Sequence, residues 1–188
     1  MTSQGVLKIL GLSGSLRRAS FNTGLLRAAG EVCGEQTVLT LFDVRDIPFY
    51  DEDIRARGMP EVVEALRTAI RSHDGILIAT PEYNRSTSGV LKNVIDWASR
   101  PPDQPFDGAR IALMSASNGG AGGLLAQYHI RQSLAVLNAV VMSGLEIAVS
   151  GARDKFDEDG HLIHDPTREF LRVQMQHFVA FMAERRRA

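Results

Sequence analysis

Cysteine is almost missing from this chain: among its 188 residues only Cys33 carries a thiol. One thiol cannot form an internal disulfide or a Cys-x-x-Cys metal or redox pair. Cys33 falls on the apolar side of an expected helix, which suits a buried, inert thiol. No apolar run approaches a membrane span of roughly 18 residues, and no charged leader precedes a hydrophobic stretch at the N-terminus. A cytoplasmic protein with no membrane segment is the expectation. An excess of one charge is missing too. The net charge of −1 offers no footprint for nucleic acid or an anionic membrane, and the short run Arg185-Arg186-Arg187 reads as a solvated helix end. The length fits a single domain over residues 1–188, able to bury roughly 70% of its unfolded surface.

What is there is an alternation of short apolar runs and amphipathic stretches. Val6–Leu12 reads as a buried strand, and Asn22–Gly34 carries Leu25, Leu26, Ala29, Val32 and Cys33 at helical spacing. Thr37–Val44 alternates more and suits a place near a sheet edge. A helix is expected from Pro60 to Ser72, a strand over Gly75–Thr80, and a helix through Val90–Ala98 that Pro101-Pro102 ends. Arg110–Ser115 is a fourth strand, Gly123–Asn138 a helix and Ala139–Met142 a very short fifth strand. Ser150–Asp165 is polar and turn-rich, a surface excursion, after which Asp165 or Thr167 caps a last helix. Strands alternating with helices predict a parallel sheet covered on both faces. Five strands with right-handed crossovers favour an α/β flavodoxin-like three-layer sandwich of order 2-1-3-4-5.

In such a sheet a ligand sits beyond the carboxyl ends of the strands where their order reverses. Three unusual loops follow the strands at that place. Gly11–Asn22 opens a helix and is rich in hydroxyls, with Ser13, Ser15, Ser20, Thr23, the Asn22 amide and the Arg17 guanidinium. A helix N-terminus with such donors attracts anions. The loop is neither a Gly-x-x-x-x-Gly-Lys-Ser/Thr cradle nor a Gly-x-Gly-x-x-Gly turn, and it misses the Gly-x-Ser-x-Gly elbow by one position. A phosphate-monoester site and an ordinary serine-rich turn both stay open. Pro81–Ser86 places an aromatic and backbone amides at a strand end, fit for the polar edge of a planar ring or for a simple turn. Glu82 has no His or second carboxylate nearby in sequence and is discounted as an acid/base. Ser115–Gly123 is nearly bare of side chains, which lets a ligand approach the backbone. His161-Leu162-Ile163-His164 has tolerable metal spacing but no further ligand pattern, and no metal site is expected. His73, His129 and His177 read as structural.

The motifs Gly14-Ser15-Leu16-Arg17-x-x-Ser20-Phe21-Asn22 and Pro81-Glu82-Tyr83-Asn84-x-Ser86-x-x-Gly89-x-Leu91-Lys92-Asn93-x-Ile95-Asp96-Trp97 resemble the NADPH-dependent FMN reductase family, nearest its quinone, chromate and azo-dye reductases. The resemblance runs from about Val6 to Glu146. It implies a flavodoxin-like fold with FMN as cofactor and NADPH or NADH as co-substrate. Ser15, Arg17, Ser20 and Asn22 then hold the phosphate, with Leu16 and Phe21 beside them in the same cofactor loop. Pro81, Glu82, Tyr83 and Asn84 line the isoalloxazine, and Ser117, Gly119 and Gly120 close its other side. Flavin N5 takes the hydride, so no catalytic side chain is named, and quinones, azo compounds or chromate take the electrons. Members are dimers or tetramers, with the Lys92–Trp97 helix near the subunit contact. Where relatives often carry a basic residue, Leu124-Leu125 stands here, which removes an ion-pair network at that place. An FMN electron carrier without nicotinamide turnover is the alternative, disfavoured by the weak net charge. A phosphate-monoester hydrolase ranks last, for want of a Cys-x5-Arg signature and an acid/base pair.

Overall fold

A computed structural model describes residues 5–185; the tail arginines Arg186 and Arg187 lie outside the described residues. In chain order the elements are β1 (Leu7–Ser13), α1 (Phe21–Val32), β2 (Thr37–Phe42), α2 (Glu52–Ala56), α3 (Glu61–Ser72), β3 (Gly75–Thr80) and α4 (Gly89–Ala98). They continue with β4 (Arg110–Ala116), α5 (Leu124–Ala135), β5 (Val140–Val141), β6 (Ile147–Val149), a 3₁₀ turn at Ala152–Asp154 and α6 (Asp165–Arg185). All pairings of these strands are parallel, in the order β2-β1-β3-β4-β5, as the alternation of elements predicts.

Burial explains the order. β3 is buried at all of its positions, the mark of a central parallel strand with helices on both faces. β2 is buried only at Thr37 and otherwise half-buried or exposed, and it forms one edge. Along β1 and β3 successive side chains serve opposite cores. Ile9 and Leu77 pack with α1 and α6, while Leu10, Leu12, Ile76 and Ile78 pack with α3, α4 and α5. Each such side chain contributes roughly 1.5–3 kcal/mol when fully buried.

Four features differ from the sequence reading. The fifth position in the sheet is split: Val140-Val141 pairs with Arg110-Ile111, and Ile147–Val149 pairs with Met114–Ala116. Gly144, at φ 98°, lies in the connection between the two short strands. A three-residue strand is too short to show a period, so β6 leaves no pattern in the sequence. The five-residue α2 is equally silent, although Asp51 caps it by accepting from Asp53 N–H at 2.8 Å. The excursion after β6 is not merely surface. It turns Phe156 and Leu162 into the α1/α6 core, where they pair as an isolated antiparallel bridge. α6 also starts with Asp165 already helical, and the cap-like acceptor is His164, whose Nδ1 receives Thr167 N–H at 3.3 Å.

Cys33 ends α1 half-buried, donating to the Gly30 carbonyl at 3.1 Å. Burial pushes its thiol above the ordinary range, which keeps it protonated.

Candidate functional site

Because the strands run parallel, the loops after β1, β3 and β4 open on one rim, and the structure ties them together through backbone contacts. Gly14 donates its N–H to the Ala79 carbonyl at 2.8 Å. Ser88, the N-cap of α4, accepts from Leu91 N–H and donates its hydroxyl to the Gly14 carbonyl at 2.7 Å. A Cβ on Gly14 would lie 2.9 Å from Ser88 Oγ and 3.0 Å from Pro81 Cδ. Only glycine lets the first loop press this closely against the second.

The second and third loops are joined by Glu82. Its Oε2 accepts from Leu125 N–H at 3.1 Å and, more weakly, from Ala126 N–H at 3.4 Å. The N-cap position of α5 is Gly123, which has no side chain to cap the helix. A carboxylate from another loop therefore satisfies its first free donors and complements its dipole. The Glu82 carboxylate is thus committed to holding two loops together. Ser86 adds a second tie, with its hydroxyl 2.8 Å from His129 Nδ1 on α5.

In the first loop Ser20 caps α1, accepting from Thr23 N–H at 3.2 Å. The N–H groups of Phe21 and Asn22, in the first turn, have no acceptor inside the helix. Ser13 and Thr23 hydroxyls bond each other at 2.8 Å, and Ser15 Oγ receives Arg17 N–H at 3.4 Å. Arg17 donates to the Ala19 carbonyl at 2.7 Å and lies 4.8 Å over the Phe21 ring, and its exposed guanidinium stays at the loop. Leu16 is exposed beside it.

Asn22 requires a correction. Its amide is buried and engaged at both ends: Nδ2 donates to the Ala116 carbonyl at 3.0 Å, and Ala116 N–H donates to Oδ1 at 2.9 Å. The side chain clamps α1 to the end of β4, and its backbone N–H, in the first turn of α1, is a further donor for a phosphate. Tyr83 also differs from expectation. Its N–H and C=O both pair with Ser86, each at 3.0 Å, around Asn84 and Arg85 at φ 50° and 60°. That left-handed pair makes a tight primed turn, and the amides at its tip belong to Asn84 and Arg85. The Tyr83 side chain is 56% exposed on the rim.

In the third loop the glycines divide by role. Gly123 sits at φ 91°, and a Cβ there would meet Ser115 Cβ at 2.8 Å, so internal packing demands it. Gly119 and Gly120 are different. A Cβ on Gly120 would meet nothing within 4 Å, and one on Gly119 only Ser117 Oγ at 3.6 Å. Nothing inside the fold requires their bareness, and the space they leave suits a flat ring laid against the backbone. Ser117 is held by both backbone groups, donating to Val149 and accepting from Ala152.

Free helix N–H groups, hydroxyls and a guanidinium at one end, with bare walls at the other, fit a flavin mononucleotide. Ser88 and Gln127 went unseen in the sequence. Ser88 has the look of an N-cap once the helix after it is placed; Gln127, buried and bonded to Ser115 Oγ and the Ile147 carbonyl, both at 2.8 Å, is one polar residue among several on α5 and nothing in the sequence sets it apart. The two histidines of the expected weak metal spacing have separate partners, His161 with Asp157 and His164 with Thr167.

A cavity of about 430 Å³ adjoins the first loop on its β2 side, lined by Gly11, Ser13, Ser15, Thr23 and several arginines.

A family model described as NADPH-dependent FMN reductase matches residues 7–154. The chain is 46% identical over 170 residues to the NAD(P)H-dependent FMN reductase PA1204 of Pseudomonas aeruginosa, a match covering 90% of this chain and 92% of that protein. It is 41% identical over 179 residues to a quinone reductase of Escherichia coli, covering 94% and 95%. Among solved structures it resembles FerB, a flavoenzyme NAD(P)H:(acceptor) oxidoreductase from Paracoccus denitrificans, with TM-score 0.86 and 32% identity over 95% of this chain and 98% of that one.

Proposed function

This chain belongs to the NADPH-dependent FMN reductase family, and on that premise we propose how its rim carries out an NAD(P)H:acceptor oxidoreduction. Bound FMN supplies the redox chemistry, relaying two electrons from a nicotinamide to an acceptor through N5. The first loop binds the phosphate through Ser15, the Ser20 hydroxyl, the Arg17 guanidinium and the Phe21 and Asn22 N–H groups, where the α1 dipole adds attraction. Leu16 shields that contact. Pro81, Glu82, Tyr83 and Asn84 frame one side of the ring, and Ser117, Gly119 and Gly120 the other. Glu82 contributes by fixing the loops, because its carboxylate already caps α5. No side chain on the rim needs to move a proton to the reacting atoms. The protein orients the ring and leaves one face open to nicotinamide and acceptor in turn.

The observation that carries this reading is the pair of unforced glycines, Gly119 and Gly120, on the same rim as a loop that Glu82 and Gly14 lock in place. Quinones are the acceptors it favours, with azo compounds and chromate as further oxidants of an open ring face. The segment before α2 adds a subunit contact. Pro48 accepts from Asn93 Nδ2 and Trp97 Nε1 on α4, both at 2.8 Å, and this presents Phe49 83% exposed beside that helix. A second copy of the chain covering Phe49 gives a homodimer or homotetramer, which sedimentation equilibrium reads directly. Among the described residues no helix is long and apolar enough to cross a membrane; residence in the cytoplasm belongs to the same proposal and is tested by cell fractionation.

The purified protein is expected to be yellow, to release a flavin of FMN mass, and to bleach rapidly under anaerobic NADPH or NADH. Reoxidation by quinones, azo dyes and chromate then ranks the acceptors. FMN binding without bleaching would leave an electron carrier instead.

A further inference from the structure

The cavity beside the first loop holds more positive charge than a flavin phosphate needs. Arg17, Arg18, Arg27 and Arg45 line it against a single carboxylate, Asp43, a surplus of three positive charges in a chain whose net charge is −1. Asp43 is loosely paired with Arg45, at 3.8 Å. Among the described residues Arg18 pairs only with the exposed Asp159, at 4.0 Å. Arg27 makes no hydrogen bond or ion pair among the described residues. These guanidiniums surround an open space of about 430 Å³ floored by Gly11, Leu41 and Val44.

Two walls of this space stand apart from the phosphate-binding end of α1. Arg27 is six residues beyond Phe21, roughly 9 Å along the helix at 1.5 Å per residue. Arg45 follows β2, the edge strand. The ring-framing loops follow β3 and β4, two and three strands away, which is roughly 10–14 Å at about 4.8 Å between strands. A ligand group held here lies roughly 10–14 Å to the side of the ring-framing loops, an offset that an extended dinucleotide stacked on the ring can span. A 2′-phosphate carries about −1.5 to −2 at pH 7 and takes Arg forks in bidentate geometry. NADH lacks that group. We propose that this arginine-lined cavity receives the 2′-phosphate of NADPH, with Arg27 and Arg45 as its specificity-determining residues. The proposal rests on the oxidoreductase reading above and deepens it from cofactor to co-substrate choice.

The test uses the flavin-loaded protein and the double variant Arg27→Ala, Arg45→Ala. Both side chains are exposed, and turnover with NADH certifies the fold of the variant. KM for NADPH should rise at least about tenfold, the loss of one or two charge-assisted hydrogen bonds, while KM for NADH stays within about twofold. Titration calorimetry supplies a readout without turnover. Adenosine 2′,5′-bisphosphate should bind wild-type protein at least about tenfold more tightly than 5′-AMP, and the variant should lose that difference. Equal affinity for the two nucleotides, or equal damage to both nicotinamides, overturns the assignment. A fall in FMN affinity in the variant also overturns it, because the arginines then belong to the flavin cradle. If the protein takes up no FMN, the reading of the rim fails, yet the comparison of the two adenosine nucleotides still decides the arginine cavity by itself.

Discussion

Replacing Gly120 and Gly123 separately by alanine should part flavin binding from folding within four residues of one loop. Gly123 holds φ 91°, and its added Cβ would stand 2.8 Å from Ser115 Cβ and 2.9 Å from Ser115 Oγ. The left-handed backbone costs a side-chain-bearing residue about 1–2 kcal/mol. Ser115 is buried and bonded to the Gly122 carbonyl at 2.7 Å and to Gln127 at 2.8 Å, so it has little freedom to yield. Overpacking there adds about 1–3 kcal/mol. The total of about 2–5 kcal/mol lowers the melting temperature by roughly 4–20 °C at 2–4 °C per kcal/mol for a chain of this size. Gly120→Ala meets no neighbour within 4 Å, so its stability should change by less than about 0.5 kcal/mol. Its methyl group enters the space assigned to the ring, and FMN affinity should fall by about 1–3 kcal/mol, fivefold to over a hundredfold. Differential scanning calorimetry of flavin-free protein and fluorescence titration with FMN measure the two effects independently. Unchanged FMN binding by Gly120→Ala, with a normal melting profile, would falsify the claim that this glycine is kept bare for the cofactor. An undiminished melting temperature in Gly123→Ala would refute the packing argument.

Glu82→Ala should uncap α5 and cost about 0.5–2 kcal/mol in urea denaturation, with Glu82→Gln in between because it keeps an acceptor but loses the charge; two variants indistinguishable from wild type would show that the cap carries no weight. Asn22→Ala leaves the Ala116 N–H and C=O unpaired in the core and should destabilise by about 2–5 kcal/mol, a loss below about 1 kcal/mol being incompatible with the clamp described above. Asp157 lies below its ordinary value of 3.8 chiefly because His161 N–H donates to it, with the His161 ring adding to the effect. A lowered folded pKa stabilises at pH above 3.8 and loses that contribution as pH falls through the folded value. The stability gap between wild type and Asp157→Asn should therefore close in acid, and a gap that persists unchanged to the acid limit of folding would sink this assignment.

The order of the sheet was legible because parallel strands buried on both faces write themselves as solid apolar runs such as Gly75–Thr80, separated by helices of steady length. The phosphate loop was legible as well, since its chemistry is local: Ser20 caps the helix that starts beside it, and the free N–H groups belong to that same turn. The short elements were not. α2 and β6 span five and three residues, less than a pattern needs, and β6 exists only because β4 offers a free edge past Arg110-Ile111. Side-chain allegiance was decided in three dimensions. Asn22 looks in sequence like one more phosphate donor, but the fold brings Ala116, ninety-four residues away, within hydrogen-bond reach and ties the amide to its backbone. Glu82 looks like an idle carboxylate until α5 arrives with a glycine where a cap belongs. The four glycines of the third loop are equivalent as letters, and only packing separates the ones the fold requires from the ones it leaves open. Local chemistry follows from neighbours in the chain and is therefore determined by sequence alone. Which polar group is already spent, and which is free for a ligand, depends on partners that only the folded chain assembles.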